Sequence, residues 1–100
     1  TAVAATADIL AIGLLSGFYR RGVSVPEDIS VIGFDGLEET AYTTPGLTTV
    51  RQPISMKGEL AVDLLIENIE NPKMERMDKV LQVELVERGS VKQEAAIGSG

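Results

Sequence analysis

A carboxylate at the end of a strand, Asp35, is the residue of this sequence best placed to bind a ligand. It follows the apolar run 29–34, with glycine at positions 33 and 36. A short run of β-branched and aromatic residues bounded by turn residues predicts a buried strand. If that strand belongs to a parallel α/β sheet, Asp35 lies at its carboxyl end, where such sheets bind ligands. The alternative is a side chain that anchors its own turn.

A second strand end is expected at the same crevice. Residues 1–6 are strand-like, and Ala7 follows them in a position equivalent to that of Asp35. We interpret the next residue, Asp8, as a helix cap rather than a ligand. A carboxylate in a crevice of this kind suits a small molecule that is rich in hydroxyl or N–H donors.

Catalytic patterns are missing from the sequence. It contains no histidine and no cysteine, and we find neither a phosphate-binding glycine loop nor a nucleophile-elbow spacing. The acidic loop at Glu38 and Glu39 lacks the spacing of a calcium site, so we interpret it as solvated. We therefore expect a protein that is not an enzyme and that has no metal and no cofactor.

Composition restricts the partners. A chain of 100 residues is long enough for one small domain. Its formal net charge of -6 argues against this segment gripping a nucleic-acid backbone by itself. No apolar run is long enough to cross a bilayer, so no membrane contact is expected. The absence of cysteine fits a cytoplasmic location.

The order of predicted elements is typical of an α/β fold with right-handed crossovers. The pattern predicts strands at 1–6, 29–34, 47–50 and 80–86, with a helix at 8–21 and a second helix from about 55 to 71. We expect Ser55 to cap the second helix and Pro72 to follow its end. The alternation of apolar and polar residues in 80–86 predicts an edge strand with one wet face.

The first predicted helix is apolar around most of its circumference. One face carries Leu10, Gly13, Leu14, Gly17 and Phe18, and we expect its glycines to allow close approach to the sheet. A second face carries Ile9, Ile12, Ser16 and Tyr19. This face is either an interface with another protein surface or, if the helix is sandwiched inside a larger domain, simply buried.

Several stretches of this chain resemble the effector-binding core of LacI/GalR-type transcriptional regulators. The matching stretches are TADILAIG (6–13), VPEDISVIGFD (25–35), PGLTTVRQP (45–53) and ERGS (87–90). Each alone is weak, but together they cover about residues 1–91 in the order of the family. The resemblance implies the C-terminal part of a periplasmic-binding-protein-like fold of two lobes.

The resemblance also assigns segments to the two lobes. It implies that residues 1–50 belong to the C-terminal lobe, that 51–53 cross the hinge, and that the helix at 54–72 belongs to the N-terminal lobe. Residues 73–91 would form a connector and a strand that returns to the C-terminal lobe, and 92–100 a tail. We therefore expect a fragment that dimerises or aggregates when it is alone.

Site residues follow from the resemblance position by position. Asp35 matches the family's effector-binding aspartate, and Gln52 falls at a hinge position that can reach ligand. Ala7 stands where many sugar-binding relatives have asparagine, which argues against a sugar bound through that amide. The first helix, with Ile9, Ile12, Ser16 and Tyr19, matches the family's dimerisation surface together with Tyr42 and Thr43.

These observations lead to three hypotheses. The first is a segment of a transcriptional regulator that binds a sugar or nucleobase-like effector, forms homodimers, and meets operator DNA only through an N-terminal headpiece outside this chain. The second is a fragment of a periplasmic sugar-binding protein for uptake. The third, a small α/β enzyme, has no catalytic motif to support it.

Overall fold

Seven elements of secondary structure alternate along the chain in a computed structural model, which describes residues 1–73, 75 and 78–93. The strands are β1 (Ala2–Ala4), β2 (Ser30–Asp35), β3 (Thr48–Arg51) and β4 (Glu84–Val86). The helices are α1 (Asp8–Arg20) and α2 (Ile54–Glu70), with a single 3-10 turn at Glu38–Ala41 between β2 and β3. The predicted α/β class is confirmed.

The four strands form one mixed sheet in the order β1-β2-β3-β4. The pairs β1–β2 and β2–β3 are parallel, whereas β4 joins β3 in antiparallel fashion. Because β1, β2 and β3 run the same way, their carboxyl ends meet at one edge of the sheet. Asp35 is the last residue of β2, and Ala7 and Gln52 come after the ends of β1 and β3.

The buried core is small and lies between α1 and the centre of the sheet. Its buried apolar residues are Ala11, Leu15, Val31 and Leu47. Phe18 and Val25 are among the half-buried residues that pack around them. The core therefore holds the first helix against β2 and the loop before β3, and it does not extend to α2.

The face of α1 that meets the sheet differs from the predicted one. Asp8, Ala11 and Leu15 are its buried residues, at the helical spacing of three and four. A methyl group added at Gly13 or Gly17 would meet no atom within 4 Å, so these glycines do not approach the sheet. The prediction of a glycine-lined contact was wrong because the small residue at that contact is Ala11, four positions before Leu15.

The second helix packs little against the rest of the described chain. None of its residues is buried, although Val62, Leu65 and Ile69 form an apolar stripe. The Cα radius of gyration is 18.5 Å, compared with about 13 Å for a compact domain of 100 residues. The apolar stripe, which in an amphipathic helix normally faces the core, is thus exposed to solvent here.

Two predicted helix caps are wrong. Pro53 stands at the N-cap of α2 and makes no side-chain cap, and Ser55 lies inside the helix. Ala7 stands at the N-cap of α1, so Asp8 is its first helical residue and not its cap. The N-cap lies two residues before the predicted one in α2 and one residue before it in α1.

The last strand is shorter than predicted but lies at the edge of the sheet as expected. Only Glu84–Val86 pairs with β3, opposite Thr49, Val50 and Arg51. The pairing begins at Glu84 because β3 ends at its partner, Arg51. After β4, Ser90 lies at the amino end of the sheet, beside the first residues of β2 and β3. Its hydroxyl donates to the Val31 carbonyl at 2.6 Å and accepts from the Thr48 N–H at 2.8 Å.

Within the described ranges, no helix is long and apolar enough to cross a membrane. Most of the predicted tail, residues 94–100, lies outside the described residues.

We expect the isolated chain to associate with itself. Contact with another copy is favoured by the outer edge of β1, which pairs with no strand in the part of the chain that the structure describes. The exposed Ile9 and Tyr19 on α1 and the exposed stripe of α2 favour it as well. Sedimentation velocity should show dimers or larger species, and Leu65→Glu should shift them towards monomer. Glu67→Lys, on the exposed polar side of α2, is the matched control. A monomer that melts cooperatively would contradict the prediction.

Candidate functional site

The backbone at the end of β2 holds Asp35 in an unusual conformation. Its φ is 129°, outside the regions that residues with side chains normally occupy, and the following Gly36 has φ 78°. A methyl group at Gly36 would fall 2.5 Å from Cα of Arg51, so only glycine fits beside β3. Backbone strain of this kind costs on the order of 1–3 kcal/mol and persists only where neighbouring contacts hold it.

Gln52 is the residue that contacts the Asp35 carboxylate. Its amide Nε2 donates to Asp35 Oδ1 at 2.7 Å, and its backbone N–H donates to the Asp35 carbonyl at 3.2 Å. The other end of the same amide, Oε1, accepts from Lys57 Nζ at 3.1 Å. The structure therefore brings two predicted site residues together and adds Lys57, which the sequence reasoning missed.

An open cavity of about 450 Å³ lies between the end of the sheet and α2. Gln52 and Lys57 supply polar groups to its wall, and Phe34, Leu60 and Leu64 are among its apolar lining residues. Asp35 does not line this cavity but is linked to it through the Gln52 amide. A pocket with apolar walls and a few polar groups is the usual form of a small-molecule site.

Asp8 is buried at the same edge of the sheet. It is fully enclosed, and its Oδ1 accepts from the Thr49 hydroxyl at 2.6 Å. Its Oδ2 accepts from the Leu37 N–H at 2.7 Å, in the turn that follows Asp35. A buried carboxylate requires such partners because burying an unpaired charge is costly. The N-terminus of α1 adds a favourable dipole.

The remaining predicted effector residue, Ala7, is half-buried at the start of α1. Its carbonyl accepts the first hydrogen bond of the helix, from the Ala11 N–H at 3.1 Å. A methyl side chain can offer a ligand only apolar contact. The structure places Ala7 at the carboxyl edge of the sheet, after β1, and its contact with an effector stays a prediction.

The predicted dimer surface is exposed for the most part. Ile9, Tyr19 and Tyr42 expose 72%, 85% and 77% of their surface, and Ser16 is exposed as well. Ile12 is half-buried against the core, and Thr43 is half-buried with its hydroxyl donating to the Thr40 and Pro45 carbonyls. Large exposed aromatic and aliphatic side chains are typical of protein interfaces.

The role of Asp8 could have been found from one sequence signal. Gly33 stands inside β2, and an isolated glycine in a strand indicates that another group approaches its backbone closely. The approaching group is the Asp8 carboxylate, since a methyl at Gly33 would overlap its Oδ1.

Within the described ranges no group of three or more acidic side chains is placed to hold a metal ion.

The sheet, its order and the site at its carboxyl edge define a class of protein. Residues 1–91 match the sequence profile of the family described as periplasmic binding protein-like domain. The match covers most of the chain, and the chain belongs to this family. The predicted two-lobed periplasmic-binding-protein-like class is thereby confirmed.

Individual relatives are transcriptional regulators. The chain is 42% identical over 92 residues to the HTH-type transcriptional repressor PurR of Vibrio cholerae serotype O1 (strain M66-2), covering 92% of the chain and 27% of the repressor. A LacI family transcriptional regulator from Enterococcus faecium, solved with bound ribose, is 41% identical with a TM-score of 0.80. That match covers 91% of this chain and 34% of the other.

A third relative was solved as an assembly. The lac repressor dimer bound to operator and the anti-inducer ONPF is 31% identical with a TM-score of 0.79, over 91% of this chain and 32% of that one. The chain thus spans about a quarter of the length of the curated relatives it matches. These relatives confirm the resemblance to LacI/GalR-type regulators.

Gly33→Ala should destabilise the fold, because the new methyl would overlap Asp8 Oδ1 and lie 3.0 Å from Cδ2 of Leu47. We expect a loss of roughly 1–3 kcal/mol in the free energy of unfolding, the usual cost of overpacking a core. Urea denaturation measures it.

Gly13→Ala is the matched control for this substitution. It lies in a helix with no atom within 4 Å of the added methyl, so we expect a gain of roughly 0.5–1 kcal/mol. Equal stability of the two variants would contradict the packing of Asp8 against Gly33.

Proposed function

We propose that this chain is the effector-binding and dimerisation segment of a LacI-type transcriptional regulator. A small molecule bound beside Asp35, in a cleft between two lobes, would change the DNA affinity of a headpiece outside this chain. The observation that carries the proposal is the Asp35–Gln52 hydrogen bond at 2.7 Å, because it sets the predicted effector carboxylate beside the hinge. The net charge of -6 favours DNA contact through another segment.

The path of the chain supports the proposed division into lobes. Residues 1–50 would form part of the C-terminal lobe, 51–53 the crossover, 54–72 a helix of the N-terminal lobe, and 73–91 the connector and returning strand. The exposed apolar stripe of α2 supports this division, since a helix of that kind requires a second surface to cover it. The antiparallel pairing of β4 with β3 fits a strand that returns.

The effector that fits this site carries hydrogen-bond donors. A carboxylate accepts at two oxygens, and Gln52 uses one of its acceptor positions. Hydroxyl groups of a sugar and N–H groups of a nucleobase are both suitable donors. The relative solved with ribose makes D-ribose the first probe, while Ala7 offers no amide to a sugar.

A homodimer is the proposed assembly. The exposed side chains of Ile9, Ser16 and Tyr19 lie on one side of α1, and Tyr42 is exposed in the loop after the 3-10 turn. A relative of this chain was solved as a dimer on its operator, which supports the same arrangement here. A regulator that acts on DNA in a bacterium would be cytoplasmic.

The alternative is a periplasmic protein for sugar uptake with the same fold. The relatives favour the regulator, since those compared above are repressors or transcriptional regulators. Neither reading involves catalysis. A helix-turn-helix segment encoded upstream of Thr1 would support the regulator, and a signal peptide there would support uptake.

Asp35→Ala in the full-length protein should weaken effector binding. Hydrogen bonds to a charged group contribute about 1.5–3 kcal/mol, so we expect the Kd for D-ribose to rise by roughly 10- to 100-fold. Isothermal titration calorimetry measures the change.

Glu38→Ala is the control, since it removes an exposed carboxylate three residues further along. Unchanged affinity in Asp35→Ala would remove Asp35 from the site. If the wild-type protein binds no ribose, titration with adenine, guanine and hypoxanthine tests the nucleobase alternative.

Tyr19→Glu in the full-length protein should reduce dimerisation, because it places a charge within an apolar interface. Size-exclusion chromatography with light scattering should show a larger monomer fraction than in the wild type. Asp63→Lys on α2 is the charge-changing control. A Tyr19→Glu protein that remains fully dimeric would exclude this face of α1 from the interface.

A further inference from the structure

We propose that Asp8 and Thr49 are positioning residues for the effector carboxylate of Asp35. They would act by holding the turn at residues 35–37, so that Asp35 keeps its strained backbone and its direction. This inference rests on the proposed function of Asp35, and it adds two residues that are buried and have no place in the effector contacts considered above.

The first contact is made by Asp8 itself. It is fully buried, and its Oδ2 accepts from the Leu37 N–H at 2.7 Å across 29 residues of sequence. Leu37 is two residues beyond Asp35, on the far side of Gly36. A charged acceptor makes a stronger hydrogen bond than a neutral one, so this contact restrains the exit of the turn.

Thr49 provides the second contact, from the neighbouring strand. Its hydroxyl donates to Asp8 Oδ1 at 2.6 Å and accepts from the Gly36 N–H at 3.3 Å. Thr49 is fully buried in β3, and its partner across the parallel pair is Gly33. The hydroxyl therefore joins the carboxylate to the centre of the turn, and both N–H groups after Asp35 have partners.

The opposite side of Asp35 is held by Gln52. Its backbone N–H reaches the Asp35 carbonyl and its amide reaches the carboxylate. Without the contacts to Gly36 and Leu37, the exit of the turn after Asp35, whose φ is 129°, would lose the hydrogen bonds that restrain it from Asp8 and Thr49. The backbone would then relax towards a commoner conformation, and the carboxylate would move with it.

Thr49→Val and Thr49→Ser separate positioning from a general structural role. Valine keeps the shape of threonine but loses the hydroxyl, whereas serine keeps the hydroxyl. Hydrogen–deuterium exchange of the ligand-free, full-length protein reads out the turn directly. We expect peptides with Gly36 and Leu37 to exchange about tenfold faster in Thr49→Val, with peptides around Val31 unchanged and Thr49→Ser close to wild type.

Asp8→Asn extends the test to the carboxylate. An amide has one acceptor oxygen for the two donors, so exchange at the turn should again rise. If Asp8→Asn fails to fold, the two Thr49 variants still test whether the turn at residues 35–37 is held by these hydrogen bonds. Unchanged exchange at residues 36 and 37 in Thr49→Val, or an equal rise throughout the sheet, would overturn the positioning role.

Calorimetry with D-ribose connects the turn to binding. Thr49→Val should raise the Kd about tenfold in the wild-type background and have no further effect in Asp35→Ala. A fall in affinity for Asp35→Ala but not for Thr49→Val would overturn this inference alone. Unchanged affinity in Asp35→Ala would instead overturn the proposed site, and the exchange data would still decide what holds the turn.

Discussion

The buried carboxylate of Asp8 is the constraint on which the arrangement of this chain depends. A fully enclosed charge is tolerated only where donors surround it, and its donors come from β3 and from the turn after β2. Leaving a buried donor unsatisfied costs about 1–3 kcal/mol. The start of α1, the end of β2 and the middle of β3 must therefore meet at one point, and Gly33 provides the space for that meeting.

The two ends of the sheet differ in the contacts that their residues make. At the carboxyl end, Asp35 and Gln52 present polar groups beside a cavity of about 450 Å³. At the amino end, the Arg88 guanidinium donates to the Thr40 hydroxyl at 2.6 Å and to the Leu47 carbonyl at 2.8 Å. These bonds and those of Ser90 attach the segment after β4 to the amino end of the sheet, away from the proposed effector site.

The sequence was sufficient for the features that depend on local patterns. Apolar runs predicted three strands and both helices, and the position of Asp35 after a buried run predicted its place at the sheet edge. Asp8 was misinterpreted because a carboxylate at a helix start satisfies the capping rule equally well, whereas its actual partners, Thr49 and Leu37, are distant in the sequence. Residues 80–83 alternate like a strand but pair with no strand among the described residues, because β3 ends at Arg51, the partner of Glu84.

The proposed binding of an effector at Asp35 would also depend on the free energy needed to hold this residue in place. A carboxylate on a mobile loop must be ordered when a ligand arrives, and each immobilised side chain costs about 0.5–1.5 kcal/mol of affinity. Here the strain at φ 129° is offset within the fold by the bonds of Gln52 on one side and of Asp8 and Thr49 on the other. The effector would meet a carboxylate that is already oriented. Buried residues that never contact the ligand can therefore contribute to its affinity.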